Sequence, residues 1–217
     1  MEQAVLTPLQ QKIIDFVAGE PRLAEYYLTG GTALSGYYFQ HRYSDDLDFF
    51  TFSERDLPAL RSVADDIRRL IGADDLRFET RYDRHLYFFK IGEEELKMEF
   101  TQYPFRQLDE PIIQNSMRID SLRDISANKL FTIFDRFDPK DFVDLYFIFH
   151  KYDVDSARKD AEKKFEMKVS DIMLGSALAK VHRIEALPRM IKPLTLPELK
   201  AYFSDLARSL GNTILEE

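Results

Sequence analysis

The sequence predicts an α+β fold: a mixed sheet with flanking helices, followed by a C-terminal helical region. Three observations predict it. Short segments of alternating apolar and polar residues cluster before residue 103, helical spacing dominates after Ser121, and no Gly/Ser-rich linker divides the chain. A length of 217 residues suits one large domain or two closely packed ones. The expected division is an α/β core over 1–118 and a helical region over 119–217 that contributes Lys129, Asp141 and Asp144 to a shared site.

Each element has a local signal. Thr7 and Pro8 read as N-cap and first residue of a helix carrying Ile13, Ile14 and Val17 and stopping at Gly19. Residues 26–29 are β-prone and end on Gly30-Gly31, after which 32–40 reads as a helix. Residues 46–51 read as a strand, with Leu47, Phe49 and Phe50 apolar. Ser53, with Asp56 three residues on, resembles a capping arrangement for a helix burying Leu57, Leu60, Val63, Ile67 and Leu70 and closed by Gly72. Strands are expected over 76–82, 85–91 and 95–102, with turns at Asp83-Arg84 and 92–94. In the last, Leu96, Met98 and Phe100 alternate with Lys97, Glu99 and Thr101, which gives one buried and one polar face. A helix from Ser126 carries Leu130, Ile133 and Phe134, and Asp138-Pro139 opens another carrying Phe142, Leu145, Tyr146 and Phe149. Thr195 and Glu198 form a capping box for the last helix.

Composition narrows the function. With no Cys, a disulfide scaffold, a thiolate metal site and a cysteine nucleophile are excluded, and a reducing cytoplasm is the expected setting. The four histidines show no ligand spacing. The first residues lack a basic start followed by an apolar run, and no stretch approaches the ~20 apolar residues of a membrane span, so a cytoplasmic protein without membrane partners is expected. Residues 151–217 carry 12 basic and 11 acidic side chains, which leaves 18 against 27 in residues 1–150. That acidic front argues against tight non-specific binding of DNA.

Two motifs carry candidate chemistry. Asp46-Leu47-Asp48 on a strand places both carboxylates on one face, where their repulsion favours a shared cation. Mg²⁺ suits carboxylate oxygens combined with substrate phosphates. Glu99, on the polar face of another strand, is a candidate third ligand and would complete a two-metal site. A D-x-D tripeptide also fits a metal-dependent glycosyltransferase, or plain solvated charge. Gly30-Gly31-Thr32, between strand and helix, lets backbone N–H groups approach an anion and offers a hydroxyl; the same residues also suit a tight turn with an N-cap. In the rear, Lys129 and Arg136 stand seven apart, two helical turns, so they could share a face and meet one phosphate; Asp141 and Asp144 are i, i+3 neighbours.

The run Leu28-Thr29-Gly30-Gly31-Thr32-Ala33-Leu34-Ser35, followed by His41-Arg42-Tyr43-Ser44-Asp45-Asp46-Leu47-Asp48-Phe49-Phe50, resembles the AbiEii/AbiGii-type nucleotidyltransferase toxins of the DNA polymerase β-like superfamily. Ala127-Asn128-Lys129-Leu130, Arg136 and Asp141-Phe142-Val143-Asp144-Leu145-Tyr146 resemble the family's later element. The resemblance implies a nucleotidyltransferase-type mixed sheet and transfer of a nucleoside monophosphate from an NTP to an acceptor hydroxyl, on a tRNA end or a protein. It also implies a toxin with a cognate antitoxin. By the same resemblance Gly30, Gly31, Thr32 and Ser44 would hold the triphosphate, Asp46, Asp48 and Glu99 would bind Mg²⁺, and Lys129 would contact phosphate. Arg136 would stand in for the arginine that the family commonly has where this chain has Lys140, and Asp141 and Asp144 would complete the later motif. A non-catalytic regulatory module on the same fold is the other reading.

Overall fold

The structure is a computed structural model that describes residues 5–216, and the chain divides into two compact units. The first comprises residues 5–38, 44–106 and 110–121; the second comprises 39–43, 107–109 and 122–216.

The first unit opens with α1 (Pro8–Gly19), whose Thr7 and Gln10 form a reciprocal capping box. After β1 (Tyr27–Thr29) comes one α-helical turn, α2 (Gly30–Ala33), which runs directly into a π-helical stretch, Leu34–Phe39. The glycines expected as a connecting turn are thus the first residues of this helix, and Gly30 reaches that position through a left-handed backbone (φ +70°). β2 (Leu47–Thr51) leads to α3 (Leu57–Ile71). The cap of α3 is Asp56, which accepts from the Ala59 N–H, rather than Ser53, because Pro58 fixes the first turn. Three longer strands follow, β3 (Asp75–Arg81), β4 (Arg84–Ile91) and β5 (Glu94–Gln102), so Arg84 belongs to a strand and not to the turn expected for it.

A hairpin of β6 (Ile112–Gln114) and β7 (Met117–Ile119) completes the sheet, in the order β3-β4-β5-β2-β1-β7-β6. These two three-residue strands went unread in the sequence. Their turn, Asn115-Ser116, places two non-glycine residues at positive φ, and three residues are too few to show alternation.

Register sets the polar face. β1 pairs antiparallel with β2, β2 parallel with β5, and β5 antiparallel with β4, which aligns Thr29, Asp48, Glu99 and Leu86 in one row. Paired residues share a face, so Asp48 and Glu99 project together. Leu47, Phe49, Met98 and Phe100 point the other way and are fully buried.

The second unit is helical: α4 (Leu122–Asp135), α5 (Pro139–Phe149), α6 (Val154–Phe165), α7 (Asp171–Ala179) with a 3₁₀ turn at Lys180–Arg183, and α8 (Leu196–Glu216). α4 begins four residues before Ser126. Asp138 caps α5 by accepting from Lys140, and Thr195 and Glu198 cap α8 reciprocally. Among the described residues no helix is long and apolar enough to cross a membrane.

Candidate active site

Within the first unit, Asp46 lies one residue before β2 and Asp48 lies in it. Leu47 and Phe49 anchor the alternation in the core, which turns Asp48 outward. Gly30 lies against this carboxylate: a Cβ there would sit 2.5 Å from Asp48 Oδ2. Only glycine suits this position, on steric and conformational grounds alike.

The carboxylates do not stand alone. Lys97 Nζ lies 3.3 Å from Asp46 Oδ2. Arg84 forks Glu99, with Nε donating to Oε1 at 2.6 Å and Nη2 to Oε2 at 2.5 Å, and the Thr101 hydroxyl donates to Oε1 at 2.6 Å. The bond to Glu99 is the main reason the guanidinium is held above its ordinary pKa, and the charges of Asp48 and Asp46 add to it. Asp46 and Asp48 supply the hard oxygen donors that a divalent cation takes. Glu99 has both oxygens engaged, Oε1 by Arg84 and Thr101 and Oε2 by Arg84, and among the described residues no three acidic or imidazole side chains are arranged to hold a metal ion.

Thr32 is buried, and its hydroxyl donates to the Asp46 carbonyl instead of facing outward. This bond braces α2 against the start of β2. Ser44 is fastened by its carbonyl, which accepts from Gln10 Nε2 at 2.7 Å. Asp120, which sequence reasoning passed over, is fully buried and accepts from the Thr29 hydroxyl at 2.6 Å.

The second unit gathers the other motif. Asp144, on α5, has no exposure. Arg42 forks it through Nε at 2.7 Å and Nη2 at 2.8 Å, His41 Nε2 lies 2.8 Å from Oδ1, and Lys129 Nζ lies 2.6 Å from Oδ2. Lys129 also reaches Asp141 at 2.8 Å, and Arg136 Nε donates to Asp141 at 3.0 Å. Arg136 lies one residue past the end of α4, its N–H still bonded to the Thr132 carbonyl at 3.0 Å, and its side chain reaches the same carboxylate as Lys129. The two cations thus converge on one carboxylate, Asp141.

Burial pushes the Asp144 carboxyl up, but the adjoining Lys129 and Arg42 charges outweigh it and hold it well below the ordinary aspartate range. Burial likewise works against the Lys129 ammonium, and Asp144 and Asp141 more than restore it. For His41 burial wins over its bond to Asp144, and its pKa falls. The neutral ring donates from Nε2, and its Nδ1 is buried without a partner among the described residues. Asp144 thus has every acceptor direction filled; it positions Lys129 and has no capacity left to bind a cation or take a proton. The pairing of His41 and Arg42 with Asp144 was not readable, because no local pattern marks a contact made more than 100 residues along the chain, at separations of 103 and 102.

Residues 15–214 match the family model described as the nucleotidyl transferase AbiEii toxin of a type IV toxin–antitoxin system. An uncharacterized Aquifex aeolicus (strain VF5) protein is 34% identical over 145 residues, 65% of this chain and 66% of that one. The chain therefore spans just under two thirds of that relative. A crystal structure of a Helicobacter pylori protein superposes with a TM-score of 0.64 at 21% identity, covering 96% of this chain and 94% of that one. MenT4, a nucleotidyltransferase toxin from Mycobacterium tuberculosis H37Rv, superposes with a TM-score of 0.56 at 14% identity, covering 93% and 81%. At these identities the two structures show a shared fold.

Two outcomes follow from the Asp144 cluster. Arg42→Ala removes one partner of a buried pair and is expected to cost about 3–5 kcal/mol in urea unfolding. Because folded His41 holds a proton less tightly than the unfolded chain does, stability is expected to fall as pH drops below about 6.5. His41→Gln, which keeps an N–H donor for Asp144, should show a shallower loss of Tm between about pH 7 and 5. An unchanged slope would assign the loss to His85, which burial also lowers.

Proposed function

The chain belongs to the AbiEii nucleotidyltransferase toxin family, and from that premise we propose that it transfers a nucleoside monophosphate from an NTP to an acceptor hydroxyl with the help of a divalent cation held by Asp46 and Asp48. The observation that carries this reading is the convergence of Gly30, Asp48, Asp46 and Lys97 on one face of the sheet. Such a cation, Mg²⁺ by donor type, would neutralise phosphate charge and acidify the attacking hydroxyl.

The chain's own residues do the rest. In transfer, the acceptor oxygen bonds to the α-phosphorus, the α–β bridging bond breaks, and pyrophosphate leaves with the electron pair. Positioning and charge supply most of the catalysis in such reactions. Gly30 and Gly31 permit close approach of a phosphate to the backbone. Lys129 serves the phosphates as a point charge whose rotamer is fixed by Asp141 and Asp144, and Arg136 adds a second positive group at Asp141. With 27 acidic against 18 basic side chains over residues 1–150, a protein hydroxyl or a docked RNA end such as that of tRNA suits the acceptor better than extended duplex does. As a toxin of this family, the chain is proposed to act in the cytoplasm and to be restrained by a cognate antitoxin.

Incubation with each α-labelled NTP, Mg²⁺ and total cellular RNA or protein should label one acceptor class. Asp48→Asn should fold normally and abolish the label; retained transfer would remove the cation from Asp48. Lys129→Met preserves length and helix propensity and should lower transfer by roughly 10²–10³-fold, the loss seen when one preorganised donor is removed. Near-wild-type turnover would take Lys129 out of the reaction.

A further inference from the structure

We propose that Arg84 takes the place of a second metal cation, so that the first unit's site works with a single divalent ion at Asp46 and Asp48 and Glu99 positions Arg84 instead of ligating metal. This rests on the assignment of the cation to those two aspartates.

The geometry supports the exchange. Glu99 stands in register with Asp48 on the neighbouring parallel strand, where a further carboxylate ligand would be needed for a pair of metals. Both of its oxygens are instead held by the parallel N–H bonds of Arg84, and the Thr101 hydroxyl takes a further lone pair of Oε1. Arg84 sits on β4 opposite Thr101, two residues from Leu86, so its side chain lies on the polar face with Glu99. The two partners differ sharply in exposure: the Glu99 side chain is 2% exposed and that of Arg84 47%. A buried carboxylate paired with a half-exposed guanidinium is an anchored cation. The fork uses Nε and Nη2, which leaves Nη1 with no bond among the described residues to offer a phosphate oxygen.

Charge favours the same arrangement. Asp46, Asp48 and Glu99 contribute three negative charges, and Arg84 and Lys97 return two. One divalent ion then makes the group net positive, which suits a triphosphate. Stripping Arg84 away to admit a second metal would require breaking a bidentate pair and exposing a buried carboxylate.

The test is Mn²⁺ binding to the full chain, read from the electron paramagnetic resonance signal of free Mn²⁺. The wild type should bind one ion, and Asp48→Asn should lose it. Glu99→Gln should still bind one, with affinity changed less than about threefold. Arg84→Ala, which frees Glu99, should bind two, and Arg84→Ala/Glu99→Gln should return to one. Two ions in the wild type, with one lost in Glu99→Gln, would overturn the proposal, as would a stoichiometry of one in folded Arg84→Ala. Should Arg84→Ala fail to fold, the Glu99→Gln result still decides. A wild-type chain that binds no Mn²⁺ would overturn the cation assignment to Asp46 and Asp48 itself, a result distinct from failure in the variants alone.

Discussion

A carboxylate without any contact with water organises the second unit. Transferring the charge of Asp144 out of solvent is costly unless cations and donors fill its coordination sphere, and the unit is built to do so. Arg42 arrives from the 39–43 segment, Lys129 from α4, and His41 contributes a neutral donor where a third positive charge would have overfilled the site. Each of these groups is itself buried, so none can leave without stranding another. This mutual dependence gives the lysine one rotamer, which a long, four-carbon side chain rarely has on its own.

The polar face of the first unit follows the opposite logic. Its carboxylates are compensated by side chains that remain partly exposed, with Arg84 at 47% and Lys97 at 27%. The Lys97–Asp46 pair, exposed on both sides, is weak in high dielectric and open to exchange, whereas the buried Glu99 keeps one edge of Arg84 anchored. One unit thus spends its charges on rigidity, while the other keeps them near solvent where they can respond to an incoming phosphate.

What the sequence disclosed depended on range. The i, i+2 aspartates, the glycine pair, and the caps at Thr7, Asp138 and Thr195 are local features, and local stereochemistry makes them readable. D-x-D alone fitted sugar transfer as well; with Gly30-Gly31-Thr32 before it the run resembled the family, and the Lys129 to Tyr146 element was the second half of that resemblance. Arg84 could not be assigned to Glu99 from sequence, because their meeting depends on the β4–β5 register and the two lie fifteen residues apart. The seven-residue spacing of Lys129 and Arg136 was readable, but their common partner Asp141, which lies on the next helix, was not. Thr32 carried a plausible hydroxyl, but its burial follows from packing that no motif encodes. The β6–β7 hairpin escaped because its turn uses Asn and Ser where glycine would have marked it.

The second unit is discontinuous in the chain, and synthesis runs in one direction. Residues 39–43 leave the ribosome long before Asp144, their counter-charge 102 positions later. Until then Arg42 has no buried partner, and the long loop must close before the pairing rewards it. A nascent chain therefore carries Arg42 without its counter-charge until α5 has been made. The buried cluster can close only then, so a chain that stops short of Asp144 holds Arg42 and Lys129 without the carboxylate that joins them.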